Sequence, residues 1–251
     1  PFFIYFANYA VHTPIQAKVS LLDKYKNKIN KLSKVKQKNA AYATMVESVD
    51  QAVGRIREKL SEHALSNNTV IIFTSDNGGL LGPTNNAPLR SGKGYPYEGG
   101  IRVPLIVHWP GVTKAREIST VPVSSVDYFP TICAAAGVAL PSKNIIDGLD
   151  LKSLMEGKGS LERDDLFWHF PHYRGKVKPY TIIRSGPWKL IKRYDGTEYE
   201  LFNLVQDIGE ADELSNQMPA KVKELDAKIL KWLQRTKAKV PKVNPEYVGN
   251  K

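Results

Sequence analysis

Apolar positions along the chain follow two rhythms that take turns. Short apolar runs at Pro1–Ala7, Val70–Phe73 and Val103–Trp109 end in polar or Gly/Pro turns and predict strands. The first reads as buried and the second as buried on both faces. Between them, Tyr42, Met45, Val46, Val49, Val53, Ile56 and Leu60 recur at helical spacing. They predict an amphipathic helix from about Ala40 to His63 that packs on the sheet. Leu65–Thr69 breaks it and leads into the strand at Val70, giving the helix, short loop and strand of an α/β unit. Ser124–Ser125 reads as the N-cap region of a further helix carrying Val126, Phe129, Ile132, Cys133 and Ala136, which Gly137 ends.

From Leu161 the texture changes. Thr181–Arg184, a Ser185–Gly186–Pro187 turn and Trp188–Ile191 predict a hairpin, and Glu198–Leu204 offers a third strand. Val222, Leu225, Ile229, Trp232 and Leu233 then mark a last amphipathic helix. The expected architecture is an α/β body over residues 1–160, its sheet sandwiched by helices. A small α+β subdomain of antiparallel strands under one covering helix follows over 161–251.

Composition narrows the function classes. With 251 residues, 42% hydrophobic and 24% charged, the chain is long enough for a real core. No apolar run approaches the roughly 18 residues of a membrane span, and no signal-peptide pattern opens the chain. A start on Pro1–Ala7 without an initiator Met is expected of a piece of a longer protein. One cysteine, Cys133, excludes an internal disulfide framework and a Cys-based zinc cluster, and it reads as a small core residue on a helix face. The formal net charge of +11 favours anionic partners: nucleic acid, anionic lipid, sulfated glycan or phosphate. Eight lysines against one acid, Asp23, lie between Lys18 and Lys38. This run reads first as a solvated surface segment and second as an anion-docking one. It lacks interleaved aromatics, so nucleic acid is a poor fit.

The residues that suggest chemistry lie in loops. Asp76–Asn77 follows the strand at Val70 and precedes Gly78–Gly79; a carboxylate beside an amide oxygen suits a hard cation such as Ca²⁺ or Mg²⁺. As a bare turn, the same stretch needs only an Asx cap and flexible glycines. In an open α/β sheet such loops gather at the carboxyl ends of the strands. There His12, Asp76–Asn77 and Gly92–Lys93–Gly94 can meet around one tetrahedral oxyanion. A cation polarises the centre under attack, lysine neutralises the non-bridging oxygens, and histidine protonates the departing alcohol. The common phosphate cradles are absent: Gly92–Lys93–Gly94 is not a P-loop, and no G-x-G-x-x-G occurs.

Tyr9–Pro14, Thr74–Gly79 and Leu89–Pro104 resemble successive blocks of the type I, formylglycine-dependent sulfatases of the alkaline phosphatase superfamily. Ser125–Thr131 and Asp147–Leu151 resemble further blocks. Trp188–Leu190 with Glu200–Leu204 is similar to the family's C-terminal subdomain. The resemblance implies an alkaline-phosphatase-like sheet, incomplete here, and hydrolysis of a sulfate monoester on a sulfated sugar or aryl sulfate in a periplasmic or secreted enzyme. It implies Asp76 and Asn77 as Ca²⁺ ligands and Lys93 as sulfate-binding and catalytic. His12 becomes the sulfate-binding proton donor, with His169, His172 and Arg174 at the border of the substrate pocket; Trp168–Arg174 reads equally as an aromatic-rich packing loop. Arg90, Glu98 and Arg102 read as internal ion pairing. The family's nucleophile motif, C/S-x-P-S/A-R, is missing from the chain, as are two further metal-binding aspartates. The resemblance therefore implies a C-terminal portion, inactive alone, whose partner is the N-terminal half of the same protein. A phosphate or phosphonate ester hydrolase of the same superfamily, and a non-catalytic polyanion binder using Lys18–Lys38, stay open.

Overall fold

A computed structural model describes residues 1–32, 37–194, 196 and 198–242. Lys34 and Lys36 of the lysine-rich run lie outside the described residues. The rest of that run is mainly a helix, α1 (Val19–Asn30), with no buried residue. It packs against α2 (Ala40–Glu62), where Lys24 reaches Glu47 at 2.8 Å. Asn39 caps α2 by accepting a hydrogen bond from the Tyr42 amide. Only Thr44 and Met45 of α2 are buried, and Val46 and Ile56 face solvent. The expected apolar stripe is thus real but largely uncovered.

Two strands follow, β1 (Ile71–Thr74) and β2 (Leu105–His108), paired antiparallel with Ile72 opposite Val107. Here β1 is half-buried along its whole length, not enclosed on both faces as expected, because β2 is its one strand partner among the described residues. Residues 1–7 form no strand and are exposed, another departure from expectation. An apolar run becomes a strand only by pairing its backbone N–H and C=O groups with a neighbour, and no described strand pairs with it. Between β1 and β2 lies the long loop, which ends in a single helical turn, α3 (Glu98–Ile101).

After β2, Ser124 and Asp127 form a reciprocal capping box. The helix α4 (Tyr128–Ala136) ends at Gly137, whose φ of +66° only glycine takes without strain. A short helix, α5 (Lys152–Met155), precedes a four-stranded antiparallel sheet in chain order: β3 (Asp165–Phe170), β4 (Tyr180–Ser185), β5 (Trp188–Arg193) and β6 (Tyr199–Asn203). The β4–β5 connection has two residues, and Gly186 at φ +53° supplies the positive φ that such a hairpin needs. Trp168–Phe170 belongs to β3, paired with β4 through Trp168 opposite Ile182, so these residues are strand rather than loop.

Side chains on this sheet alternate between two clusters. Ile183, Leu190 and Leu201 face α6 (Pro219–Thr236) and meet Leu225, Ile229 and Leu233. Ile182, Ile191 and Phe202 face the other way, against Tyr95, Tyr97 and Ile101 of the long loop. Period-2 alternation therefore buries both faces, one under a helix and the other under the segment that carries Lys93. The whole is a mixed α/β fold.

Candidate active site

The turn after β1 is built by short hydrogen bonds. The Ser75 hydroxyl donates to the Asn77 carbonyl at 2.9 Å, and Asn77 Nδ2 donates to Asp76 Oδ1 at 2.5 Å. With its nitrogen turned to Asp76, the Asn77 amide leaves Oδ1 available as an acceptor next to the carboxylate (a flipped amide would set two acceptors against each other).

The long loop is fastened to this turn by backbone contacts. The Gly78 amide donates to Gly100 O at 3.0 Å, and the Lys93 amide donates to Gly79 O at 3.1 Å. The contact is too close for any side chain: a Cβ on Gly78 would lie 1.8 Å from Gly99 O, and one on Gly92 would lie 2.4 Å from Gly79 O. Asn86 clamps the pair. Its Oδ1 accepts from the Gly79 amide, and its Nδ2 donates to Gly79 O and Ser91 O, each at 2.9–3.0 Å. Sequence reasoning missed Asn86; one asparagine in a loop rich in them carries no local mark of this role.

Arg174, in the turn between β3 and β4, donates from Nη1 to Lys93 O at 3.3 Å. Its guanidinium covers Gly94, where a Cβ would stand 1.7 Å from Nη1 and where φ is +88°. The glycines on either side of Lys93 thus admit the protein's own Gly79 and Arg174 to the backbone. Backbone contacts thus join the turn that carries Asp76–Asn77, through Gly79, to Lys93, and Lys93 to Arg174.

His12 stands apart in its contacts. Its Nδ1 lies 2.9 Å from Thr13 O, and its ring lies 5.5 Å from that of Tyr9. Since a carbonyl only accepts, Nδ1 carries a proton, and Nε2 is the free acceptor of the neutral ring. The ring is exposed, and no hydrogen bond joins it to Asp76, Asn77 or Lys93. His172 is exposed, and its ring lies 3.9 Å from that of Phe170 and is tilted 56° to it. His169 belongs to the scaffold: Nδ1 meets Thr181 Oγ1 at 2.8 Å, and Nε2 meets Lys239 O at 2.9 Å. Arg90 pairs with Glu200 at 3.9 Å and Glu98 with Lys189 at 3.0 Å, internal ion pairs as expected, and Arg102 approaches Glu98 at 3.7 Å.

As a cation site the turn fits in kind and falls short in number. Asp76 and Asn77 offer adjacent oxygens, whereas Ca²⁺ takes six to eight. Among the described residues no group of three or more His, Cys, Asp or Glu side chains is gathered to hold a metal. No described helix is long and apolar enough to cross a membrane.

Residues 1–138 match the Sulfatase family model, and residues 92–239 match the model for the C-terminal region of N-sulphoglucosamine sulphohydrolase. The chain belongs to the sulfatase family. A sulfatase from Formosa agariphila is 36% identical over 262 residues, which cover 95% of this chain and 47% of that protein. The crystal structure of Ps i-CgsB matches with a TM-score of 0.81 and 34% identity, covering 92% of this chain and 50% of that one. The structure of BT4656 in complex with its substrate D-glucosamine-2-N,6-O-disulfate matches with a TM-score of 0.67 and 29% identity, covering 79% of this chain and 40% of that one. The chain therefore spans about half the length of the Formosa protein and of Ps i-CgsB.

Proposed function

We propose that these residues are the C-terminal part of an enzyme that hydrolyses a sulfate monoester on a sulfated carbohydrate, in the periplasm or outside the cell. The observation that supports this reading is the clasp between two loops: it ties the Lys93 amide to Gly79 of the turn that carries Asp76–Asn77, with Arg174 against the same backbone. Lys93 neutralises the non-bridging oxygens of the sulfate, where charge builds as the ester bond breaks. His12 binds the same group, and as imidazolium it protonates the departing sugar oxygen from Nε2. Arg174 and His172, on the β3–β4 turn, border the sugar. Asp76 and Asn77 supply two of the oxygens that would hold Ca²⁺, which when bound contributes positive charge at the sulfate. The remaining metal ligands and the formylglycine nucleophile come from the other half of the protein, because no C/S-x-P-S/A-R motif occurs in these 251 residues. On this reading the α/β part spans residues 1–160 and the smaller C-terminal subdomain 161–251. Support for a sugar substrate comes from BT4656, whose substrate is a sulfated glucosamine.

The test is turnover by the full-length protein of 4-nitrophenyl sulfate and of D-glucosamine-2-N,6-O-disulfate, with 4-nitrophenyl phosphate alongside. Sulfate esters should be preferred. Lys93→Ala should lower kcat/KM by about 10²-fold or more, the scale of losing one group that stabilises transition-state charge. The 251-residue chain by itself should release no product. A preference for phosphate, or full activity in Lys93→Ala, would overturn the reading.

A further inference from the structure

Lys189 is fully buried on β5, on the face turned away from α6. A buried ammonium is costly to desolvate, and an apolar residue of similar length would serve a sheet interior at least as well. Its two partners both come from outside the sheet. Nζ lies 3.0 Å from Glu98 Oε1 and 2.8 Å from Glu210 Oε1. Glu98 opens α3, at the end of the segment that carries Lys93. Glu210, also fully buried, lies beyond β6 at φ +54°.

Glu210 grips that segment at both ends. Its Oε2 accepts from the Glu98 amide at 2.6 Å, and its backbone carbonyl accepts from Arg90 Nη1 at 2.9 Å. Lys93 lies between the two grips. Beyond Glu98, the Gly99 amide returns to Arg90 O at 2.9 Å, and Gly100 O receives the Gly78 amide. An unbroken chain of contacts thus runs from the Lys189 ammonium to the Asp76–Asn77 turn. A second contact group works alongside it. The Tyr97 hydroxyl donates to Glu200 Oε2 at 2.7 Å, Arg193 pairs with Glu200 at 2.7 Å, and Arg90 lies over the Tyr97 ring at 3.8 Å.

We infer that Lys189, acting through Glu98 and Glu210, is a positioning residue for the Lys93 loop, which makes the C-terminal sheet a working part of the anion site. The functional meaning rests on the role proposed for Lys93; the mechanical coupling does not.

Hydrogen exchange on the 251-residue chain tests the coupling directly. In Lys189→Met the amides of Gly78, Lys93 and Gly99 should exchange about tenfold faster or more, while the β4–β5 and β5–β6 ladders keep their protection. Unchanged exchange over residues 76–100 overturns the inference. So does a uniform rise across sheet and loop, the signature of a residue that merely holds the sheet together. Should Lys189→Met leave no protected sheet, Glu210→Ala decides by the same criteria, since it leaves Lys189 paired with Glu98. In the full-length enzyme, Glu210→Ala should lower kcat for sulfate-ester hydrolysis. A localised exchange change without that loss would uphold the coupling and count against the role of Lys93.

Discussion

Asp127 illustrates how one side chain ties together two stretches far apart in sequence. Fully buried, its carboxylate accepts from the amides of Ser124 at 2.8 Å and Leu149 at 2.9 Å and pairs with both terminal nitrogens of Arg163 at 2.6 and 2.8 Å. Thr131 extends the same knot, receiving the Leu151 amide and donating to the Asp127 carbonyl. Burial pushes the Asp127 pKa up, but the Arg163 hydrogen bond and the two amides together outweigh it, and the carboxyl ends below its ordinary 3.8. A carboxyl with a depressed folded pKa contributes stability that is complete above its unfolded value and is lost as pH falls through the folded one. Stability of the chain should therefore fall as pH drops below about 4, and Asp127→Asn should remove part of that slope. Arg163→Met leaves the buried carboxylate uncompensated and should cost about 3–5 kcal/mol at neutral pH. Urea unfolding at pH 7 and pH 3 reads both. Tyr97 shows the opposite sign: burial, then its hydrogen bond to Glu200, raises its pKa to about 12. The folded state keeps its proton where an unfolded tyrosine would lose it, so stability should fall as pH rises from about 10 toward 12. Burial also raises Tyr42, Tyr180, Tyr194 and Tyr199, so in an ultraviolet titration Tyr97→Phe should remove one of several late-ionising phenols.

At the scale of elements, α6 rests on the sheet through Leu225, Ile229 and Leu233, all buried. Ile229→Ala should cost about 2–5 kcal/mol. Leu230→Ala, one position round the helix and half exposed, should stay within about 0.5 kcal/mol. A single thermal-denaturation series on the two variants separates them. This helix, the β4–β5 hairpin and α4 with its N-terminal serines and closing Gly137 were all legible, because their signals are local: periodicity, a glycine turn, a cap. Strand β3 was not, since Trp168–His169–Phe170 mixes polar and aromatic residues ahead of Pro171. What makes it a strand is its pairing with β4. Residues 1–7 failed in the reverse sense: a strand-like composition met no described strand to pair with. The site divides the same way. Asp76–Asn77 and Lys93 were visible because glycines mark the turns where two backbones touch. Asn86 and Lys189, which hold those turns in place, act across 7 and 91 residues and leave no trace in their own neighbourhoods.

For the molecule as a whole, two surface properties pull against each other. Phe2 to Phe6 is a run of five consecutive exposed apolar or aromatic residues, with Tyr5 at 85%. Ile106 on β2, Val126 in the turn before α4 and Phe129 at the start of α4 also face solvent. Soluble monomers rarely leave so much contiguous apolar surface open. Opposing association is the net charge of +11, which makes copies of the chain repel one another. Repulsion between exposed charges is screened by salt, with a reach of about 30 Å at 0.01 M falling to about 3 Å at 1 M. Apolar attraction is not screened, and sulfate strengthens it. The 251-residue chain should therefore bind an apolar dye such as ANS while remaining monomeric at low ionic strength, and should self-associate as NaCl or ammonium sulfate is raised. Sedimentation velocity across a salt series reads the second effect. Phe3→Ser with Phe6→Ser should move the onset of association to higher salt without changing the unfolding midpoint, since neither ring is buried. A chain that stays monomeric at every ionic strength and leaves the dye dark would mean that this apolar surface is covered in solution by contacts the fold described above does not contain.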